Sequence, residues 1–208
     1  MSEELLINVT PRETRVALVE NGMLQEVHIE RAARRGWYGN VYKGRVVRVL
    51  PGMQAAFVEI GLERTAFLHA SDIVRAAPAE VEAEVAAVTL QTTPPIAELV
   101  REGQDIVVQV IKDPIGSKGA RLTTQVSIPS RYLVLLPGSR TQGVSARIED
   151  EDERARLKAI VQVHSERNGC GYIVRTNAEG QSADALAEDV EYLDKAWSQL
   201  TAKASPAK

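Results

Sequence analysis

Apolar and polar positions fall into short runs along much of the chain. Leu5, Leu6, Ile7 and Val9 form one run, Val16 to Val19 a second and Leu24 to Ile29 a third. Asn21-Gly22 separates the last two. That dipeptide favours the tight turn of a hairpin, because both residues tolerate positive φ. Residues 5–30 therefore predict a small antiparallel meander, followed by Ala, Arg and Gly up to Gly36. Three more strands are predicted within residues 39–70: Val41 to Leu50 closed by Pro51-Gly52, Met53 to Ile60 closed by Gly61, and Thr65 to His69 followed by Ser71-Asp72. Another pair follows, Asp105 to Lys112 and Ala120 to Ile128, joined by the turn 114–119. Five short strands with turns at these spacings suggest a small OB-type barrel.

Between the third and fourth of these strands, residues 76–95 are rich in Ala, Glu, Thr and Pro and end in Pro94-Pro95. This composition builds little core and reads as a mobile surface loop or partial helix. After Pro129 the pattern changes. Tyr132 to Leu136 reads as a buried strand, Ile148 to His164 as a charged amphipathic helix and Gly171 to Thr176 as another strand. Leu186, Val190, Leu193, Trp197 and Leu200 recur at helical spacing, which predicts a helix over 182–203. Residues 126–208 thus form a compact α+β unit, with Ala202 to Lys208 as a frayed tail.

Strand parity singles out the chain's two phenylalanines. In Ala56-Phe57-Val58-Glu59-Ile60 the core parity belongs to Ala56, Val58 and Ile60. In Thr65-Ala66-Phe67-Leu68-His69 it belongs to Ala66 and Leu68. Phe57 and Phe67 both fall on the polar parity, near Lys43, Arg45, Arg64 and Lys118. Aromatic rings among cations make a stacking platform for nucleic-acid bases. Two phenylalanines covering an apolar patch, or packing on a neighbouring domain, is the other reading. Lys118 lies in a Gly-Ser-Lys-Gly turn whose small residues would admit a phosphate, although a solvated turn lysine is the commoner case and no P-loop frame is present. Arg175-Thr176 ends a strand, where a guanidinium fork beside a hydroxyl suits a terminal phosphate. A strand-end Arg in a surface ion pair fits the spacing as well.

Charge changes the picture more than composition does. The net charge of -3 argues against a nucleic-acid partner. The distribution argues for one: residues 30–75 and 105–148 each carry +4, and the acidic insert 76–104 between them carries -4. A balanced total thus conceals a basic face. His28, His69 and His164 show no ligand spacing and read as structural or solvated. The acidic run Glu149 to Glu153 opens a helix, where it favours the dipole, so no metal site is expected. Cys170 is the only cysteine and reads as a small packed group. No apolar run approaches the ~18 residues of a membrane span. The opening MSEELLINV lacks the features of a signal peptide. A cytoplasmic chain with no membrane partner is the expectation.

The segment Val41 to Ile73, VYKGRVVRVLPGMQAAFVEIGLERTAFLHASDI, resembles an S1-type RNA-binding domain through its G-x-V-x-x-V, AFVEIG and AFLHASDI elements. The opening ELLINVTPRETRVALVENGMLQEVHIERAARRG, together with KDPIGSKGARLTT, PSRYLVLLPG and GYIVRTNAEG, is similar to the ribonuclease E/G family. Arg34-Arg35-Gly36 and the compact 137–143 loop favour the shorter of its two branches.

That resemblance implies an α+β chain. Residues 1–36 would be the first strands of an RNase H-like subdomain, with an S1-type OB-fold barrel inserted after them over 37–125 and a 5′-sensor subdomain over 126–208. It implies that Phe57, Phe67 and the turn lysine Lys118 hold single-stranded RNA, with Lys43, Arg45 and Arg64 nearby. It further implies that Arg175, Thr176 and the backbone amide of Val134 hold a 5′-monophosphate. Two positions depart from the family pattern: Ser130 stands where the longer relative has glycine, and Ala146 where it has a second arginine. The catalytic aspartates, which bind magnesium, belong to a later subdomain, and neither the DIN nor the DFID motif occurs here. The paired-cysteine zinc link between subunits is also missing. The expectation is therefore an endoribonuclease of rRNA processing and mRNA decay when intact, magnesium-dependent and oligomeric. The present chain would be inactive, with no cofactor of its own. A stand-alone RNA-binding module or a protein adaptor is the alternative.

Overall fold

The three N-terminal apolar runs become antiparallel strands in the computed structural model of the chain, which describes residues 2–74 and 94–204. These strands are β1 (Glu3–Val9), β2 (Glu13–Glu20) and β3 (Met23–Arg31), in the order β1-β2-β3. Asn21 and Gly22 both take positive φ (49° and 77°), which is the backbone that the Asn-Gly signal anticipates. Residues 1–37 form one compact unit and residues 38–208 another. Within the first unit, β1 and β3 are exposed along their whole length, including Leu5, Ile7, Val27 and Ile29. The loop or partial helix expected over 76–95 falls almost wholly outside the described residues.

In the second unit, β4 (Val41–Leu50), β5 (Ala55–Glu59), β6 (Ala66–His69), β7 (Asp105–Lys112) and β8 (Arg121–Thr123) close into a barrel in the order β4-β5-β6-β8-β7. Its core holds Val46, Ala56, Val58, Ala66, Leu68, Val108, Val110 and Leu122. The short helix α1 (Ile96–Leu99) adds Ile96, and Val100 follows it inward. The end of the acidic insert thus supplies core that its composition did not promise. Met53 is not part of β5: residues Pro51–Met53 make a 3-10 turn, capped by Gln54 at φ 49°.

Closure depends on two glycines. A Cβ on Gly44 would meet Val58 Cγ1 at 2.6 Å and the Glu59 carbonyl oxygen at 2.9 Å. One on Gly119 would overlap the Thr65 carbonyl oxygen and stand 3.0 Å from the Thr65 carbonyl carbon. Only glycine lets the chain entering β8 lie this close to the chain entering β6.

The strand predicted over Ala120 to Ile128 is broken. β8 ends at Thr123, and β9 (Ile128–Pro129) joins a different sheet, of order β11-β12-β10-β9. Buried Gln109 stitches the junction: its Nε2 donates to the Gly39 and Ser127 carbonyls at 2.9 Å each, and its Oε1 accepts from the Ser127 N–H at 2.8 Å. The second sheet also contains β10 (Leu133–Leu136), β11 (Gln142–Val144) and β12 (Gly171–Val174). β11 lies where only a compact loop was expected. It pairs in parallel with β12, and Gly171, whose Cβ would stand 2.5 Å from the Thr141 carbonyl oxygen, permits that approach.

Helices α2 (Glu151–Asn168) and α3 (Ala183–Ala204) cover this sheet. α2 begins at Glu151 and not at Ile148, because the Asp150 carboxylate caps it by accepting from Asp152 N and Glu153 N. Leu157, Val161, Leu186, Val190 and Leu193 pack on Leu133, Leu135 and Tyr172. Cys170 lies in this core, where burial pushes its thiol pKa up.

Gly119→Ala should destabilise the chain by about 1–3 kcal/mol or more, the cost of overpacking against rigid atoms, with the clash falling on backbone. Urea unfolding measures it. A variant with unchanged stability would mean that β6 and β8 approach less closely than described.

Candidate nucleic-acid interface

Phe57 and Phe67 face away from the barrel core as parity predicts, since their neighbours Ala56, Val58, Ala66 and Leu68 are fully buried. The two residues are register partners on β5 and β6. Their ring centroids stand 6.2 Å apart with planes at 70°. Both rings are half-buried and line one groove with Arg64, Lys112, Lys118 and Arg121. Arg64 Nη1 donates to the Gly116 carbonyl, fastening the turn that carries Lys118. Ile115 and Lys118 exchange backbone hydrogen bonds at 3.0 and 3.2 Å.

The barrel register extends this site beyond the residues that the sequence singled out. Arg48 pairs with Phe57, Phe57 with Phe67, Phe67 with Arg121 and Arg121 with Lys112. One row, Arg48-Phe57-Phe67-Arg121-Lys112, therefore crosses all five strands. Arg48 and Lys112 reach it through register shifts between Val46 and Arg48 and between Val110 and Lys112. By simple alternation Arg48 would share the inward parity of Gly44 and Val46, and Lys112 that of Val108 and Val110. Each bulge turns its cation outward. A basic residue at core parity was the available signal in the sequence. Among the described residues, Arg48, Lys112 and Lys118 make no ion pair. Arg121 is held by Asp72, with Nε and Nη2 each 2.9 Å from Oδ2.

Lys43 and Arg45 do not join the groove. They lie on the other side of the β4 bulge and pair with Asp105, Arg45 Nε at 3.0 Å and Lys43 Nζ at 3.7 Å. The Arg45 hydrogen bond and charge, followed by the Lys43 charge, hold the Asp105 carboxyl below its ordinary range.

The second predicted site sits on the α+β sheet. The exposed Arg175 follows β12, with its backbone N–H donating to the Tyr132 carbonyl at 2.8 Å and its Nη1 to the Ser130 carbonyl at 2.5 Å. Thr176 Oγ1 lies 3.0 Å from Ser145 Oγ, a hydroxyl that the sequence had not flagged. The exposed Ala146 follows it.

The backbone amide of Val134 must be corrected as a phosphate donor. Val134 pairs with Ile173. Bonding pairs alternate in antiparallel strands, and the Arg175–Tyr132 bond fixes which residues face β12. The Val134 N–H therefore points into the ladder with Ile173. A further residue, Asp189 on α3, orders this end of the sheet. Its Oδ2 accepts from Ser130 Oγ at 2.5 Å and from Tyr132 N and Leu133 N at 3.0 Å each.

Comparison with known proteins places the chain that carries these residues. Residues 127–208 match the model of the ribonuclease E/G family, and residues 38–113 match that of the S1 RNA binding domain. The chain is 57% identical over 202 residues to ribonuclease G of Haemophilus influenzae and 56% over 200 residues to ribonuclease G of Escherichia coli. These alignments cover 97% and 96% of the chain and 40% of each relative. The chain belongs to the ribonuclease E/G family. Ribonuclease E of Escherichia coli is 39% identical over 200 residues, covering 95% of the chain and 18% of that relative. The chain thus spans about 40% of the length of its ribonuclease G relatives. The five-stranded barrel carries the S1 domain of this family member, and the family match covers the α+β region with its Arg175-Thr176 pair. Among the described residues, no helix is long and apolar enough to cross a membrane, and no group of three or more His, Cys, Asp or Glu is placed to hold a metal ion.

Phe67→Ala should weaken single-stranded RNA binding by about 1–3 kcal/mol, the worth of one stacked base, with little change in unfolding midpoint. Arg48→Ala should weaken it too, whereas Arg45→Ala should not. Fluorescence-anisotropy titrations compare them, and equal effects of the two arginine variants would refute the row. Asp189→Ala leaves two backbone donors without their acceptor, while the Ser130 hydroxyl keeps the Leu133 carbonyl at 2.9 Å. It should cost about 1–3 kcal/mol for the unsatisfied groups and accelerate hydrogen exchange at Tyr132 and Leu133, whose protection is read by NMR.

Proposed function

We propose that this chain is the N-terminal, RNA-holding and 5′-monophosphate-sensing region of a single-strand-specific endoribonuclease that acts in rRNA processing and mRNA decay in the cytoplasm. The row of two phenylalanines flanked by Arg48 and Lys112 carries the reading. Stacking on an aromatic face accepts any base, and cations at either end follow the phosphates. The groove between Phe57, Phe67 and Lys118 suits one unstacked base, since rings at 70° to one another offer a face and an edge to the same guest.

In this reading Arg175 and Thr176 receive the 5′ end. A terminal monophosphate carries more charge than an internal phosphodiester and presents an extra oxygen to a guanidinium. Arg175 keeps part of its fork available, because only Nη1 is engaged, by the Ser130 carbonyl. The Thr176 and Ser145 hydroxyls supply neutral donors beside it. Residues 1–36 are read as the first strands of an RNase H-like subdomain into which the barrel is inserted. Cutting the strand falls to a magnesium-dependent part of the intact, oligomeric enzyme, and the residues of this chain are assigned no role in that step.

Two oligonucleotides that differ only at the 5′ end, monophosphate or hydroxyl, test the sensor at fixed salt. The chain should prefer the monophosphate by about tenfold, in keeping with one screened, charge-assisted hydrogen bond. Arg175→Lys should lose most of that preference, because it keeps the charge and loses the fork. Lys118→Ala should weaken both RNAs alike. Equal affinity of the unaltered chain for the two ends would refute the sensor while leaving the barrel reading intact.

A further inference from the structure

The opening of α2 grips both turns that carry the Ser145 and Thr176 hydroxyls. Arg154 Nη1 donates to the Ser145 carbonyl at 2.8 Å and to the Ile148 carbonyl at 3.0 Å, closing the turn that leaves β11. Glu153, its neighbour, receives the turn that leaves β12. The Oε1 of Glu153 accepts from the Gly180 N–H at 2.8 Å and from Arg156 Nη2 at 2.7 Å, and its Oε2 accepts from Arg156 Nε at 2.6 Å. Arg156 Nη2 also donates to the Gln181 carbonyl at 2.9 Å. This second turn begins at Thr176 itself, whose carbonyl accepts from Glu179 N at 3.1 Å, and Ala178 anchors it in the core. Thr176 lies past the end of β12 at Val174. The sheet ladder therefore does not fix its hydroxyl, and the turn must. Arg156, followed by the Gly180 amide, draws the Glu153 carboxyl down to about 2, so the clamp stays charged throughout the neutral range.

We infer that Glu153 is a positioning residue of the 5′-end site: by gripping Gly180 it holds the turn on which Thr176 sits, and so keeps the Thr176 hydroxyl against that of Ser145. The inference rests on the 5′-monophosphate reading proposed above. In this assignment Glu153 touches no ligand. As an anion it would repel a phosphate, so any help it gives must come through the turn. Two hydroxyls 3.0 Å apart can serve one phosphate only while both are held, and supporting contacts of this kind are what hold a binding group in place. Reach and charge thus make opposite predictions. If reach matters, shortening the side chain weakens the site. If charge matters, removing the anion strengthens it.

The test uses the whole chain and the two oligonucleotides that differ only at the 5′ end. Glu153→Asp keeps the charge and its favourable place in the first turn of α2, but withdraws the carboxylate from Gly180 by one methylene. Glu153→Gln keeps the reach and an Oε1 acceptor and gives up the charge. Glu153→Asp should lower the preference for the monophosphate from about tenfold to about threefold, the loss of one neutral hydrogen bond, with affinity for the 5′-hydroxyl RNA unchanged. Glu153→Gln should keep most of the preference. Adding Glu153→Asp to Thr176→Val should lower the preference no further than Thr176→Val alone, because both act through the same hydroxyl. A preference kept by Glu153→Asp, a loss as large in Glu153→Gln, or weaker binding of both RNAs alike would overturn the role of Glu153 and leave the sensor in place. Equal affinity of the unaltered chain for the two ends would overturn the sensor reading, and this inference with it.

Discussion

Two β-bulges govern what this barrel shows to solvent. A five-stranded barrel needs its inward positions filled by apolar side chains, and strict alternation would send Arg48 and Lys112 into that interior. Burying either unpaired would cost several kcal/mol. The extra residue in β4 and the one in β7 resolve the conflict by turning both cations outward at the level of Phe57 and Phe67. Gly119 then lets β8 close against β6, which sets Arg121 between Phe67 and Lys112. Packing and surface are thus settled together: the register that fills the core is the one that assembles the row.

The α+β sheet reaches a comparable order by different means. Its outward end is a turn, Ser130 to Tyr132, with no strand beyond it to supply hydrogen bonds. Asp189 provides them from α3, satisfying two backbone donors and a hydroxyl with one oxygen. The Ser130 carbonyl is thereby held where Arg175 meets it. The apolar stripe of α3, buried through Leu186, Val190 and Leu193, is what keeps that carboxylate at the sheet. The hydroxyl of Ser130, where the resemblance expected a glycine, is engaged internally by Asp189 and the Leu133 carbonyl.

Local patterns were readable where local forces decide the outcome. The Asn21-Gly22 turn, the helical spacing from Leu186 to Leu200 and the outward parity of Phe57 and Phe67 depend on neighbours a few residues away. The bulges depend on how five strands close around one core, and no window of sequence contains that condition. Lys43 and Arg45 looked suitable because they are basic and near in sequence, yet Asp105, which pairs with both, arrives from β7. Strand β11 was missed because three residues, Gln142–Val144, carry too little pattern to register. Val134 was assigned by resemblance alone, and the ladder to β12 uses its amide.

Arg121 has a consequence for the ionic atmosphere around the molecule. It occupies the middle of the cationic row but already has a partner in Asp72, so it draws no condensed counterions away from a polyanion. Binding to a single strand releases roughly 0.7 of a monovalent ion for each phosphate neutralised. In the proposed reading Arg48, Lys112 and Lys118 would take part in that exchange and Arg121 would not. The row therefore has a lower salt sensitivity than its number of basic residues implies. Asp72 thus lets a guanidinium stand beside the aromatic surface without adding a free charge to it.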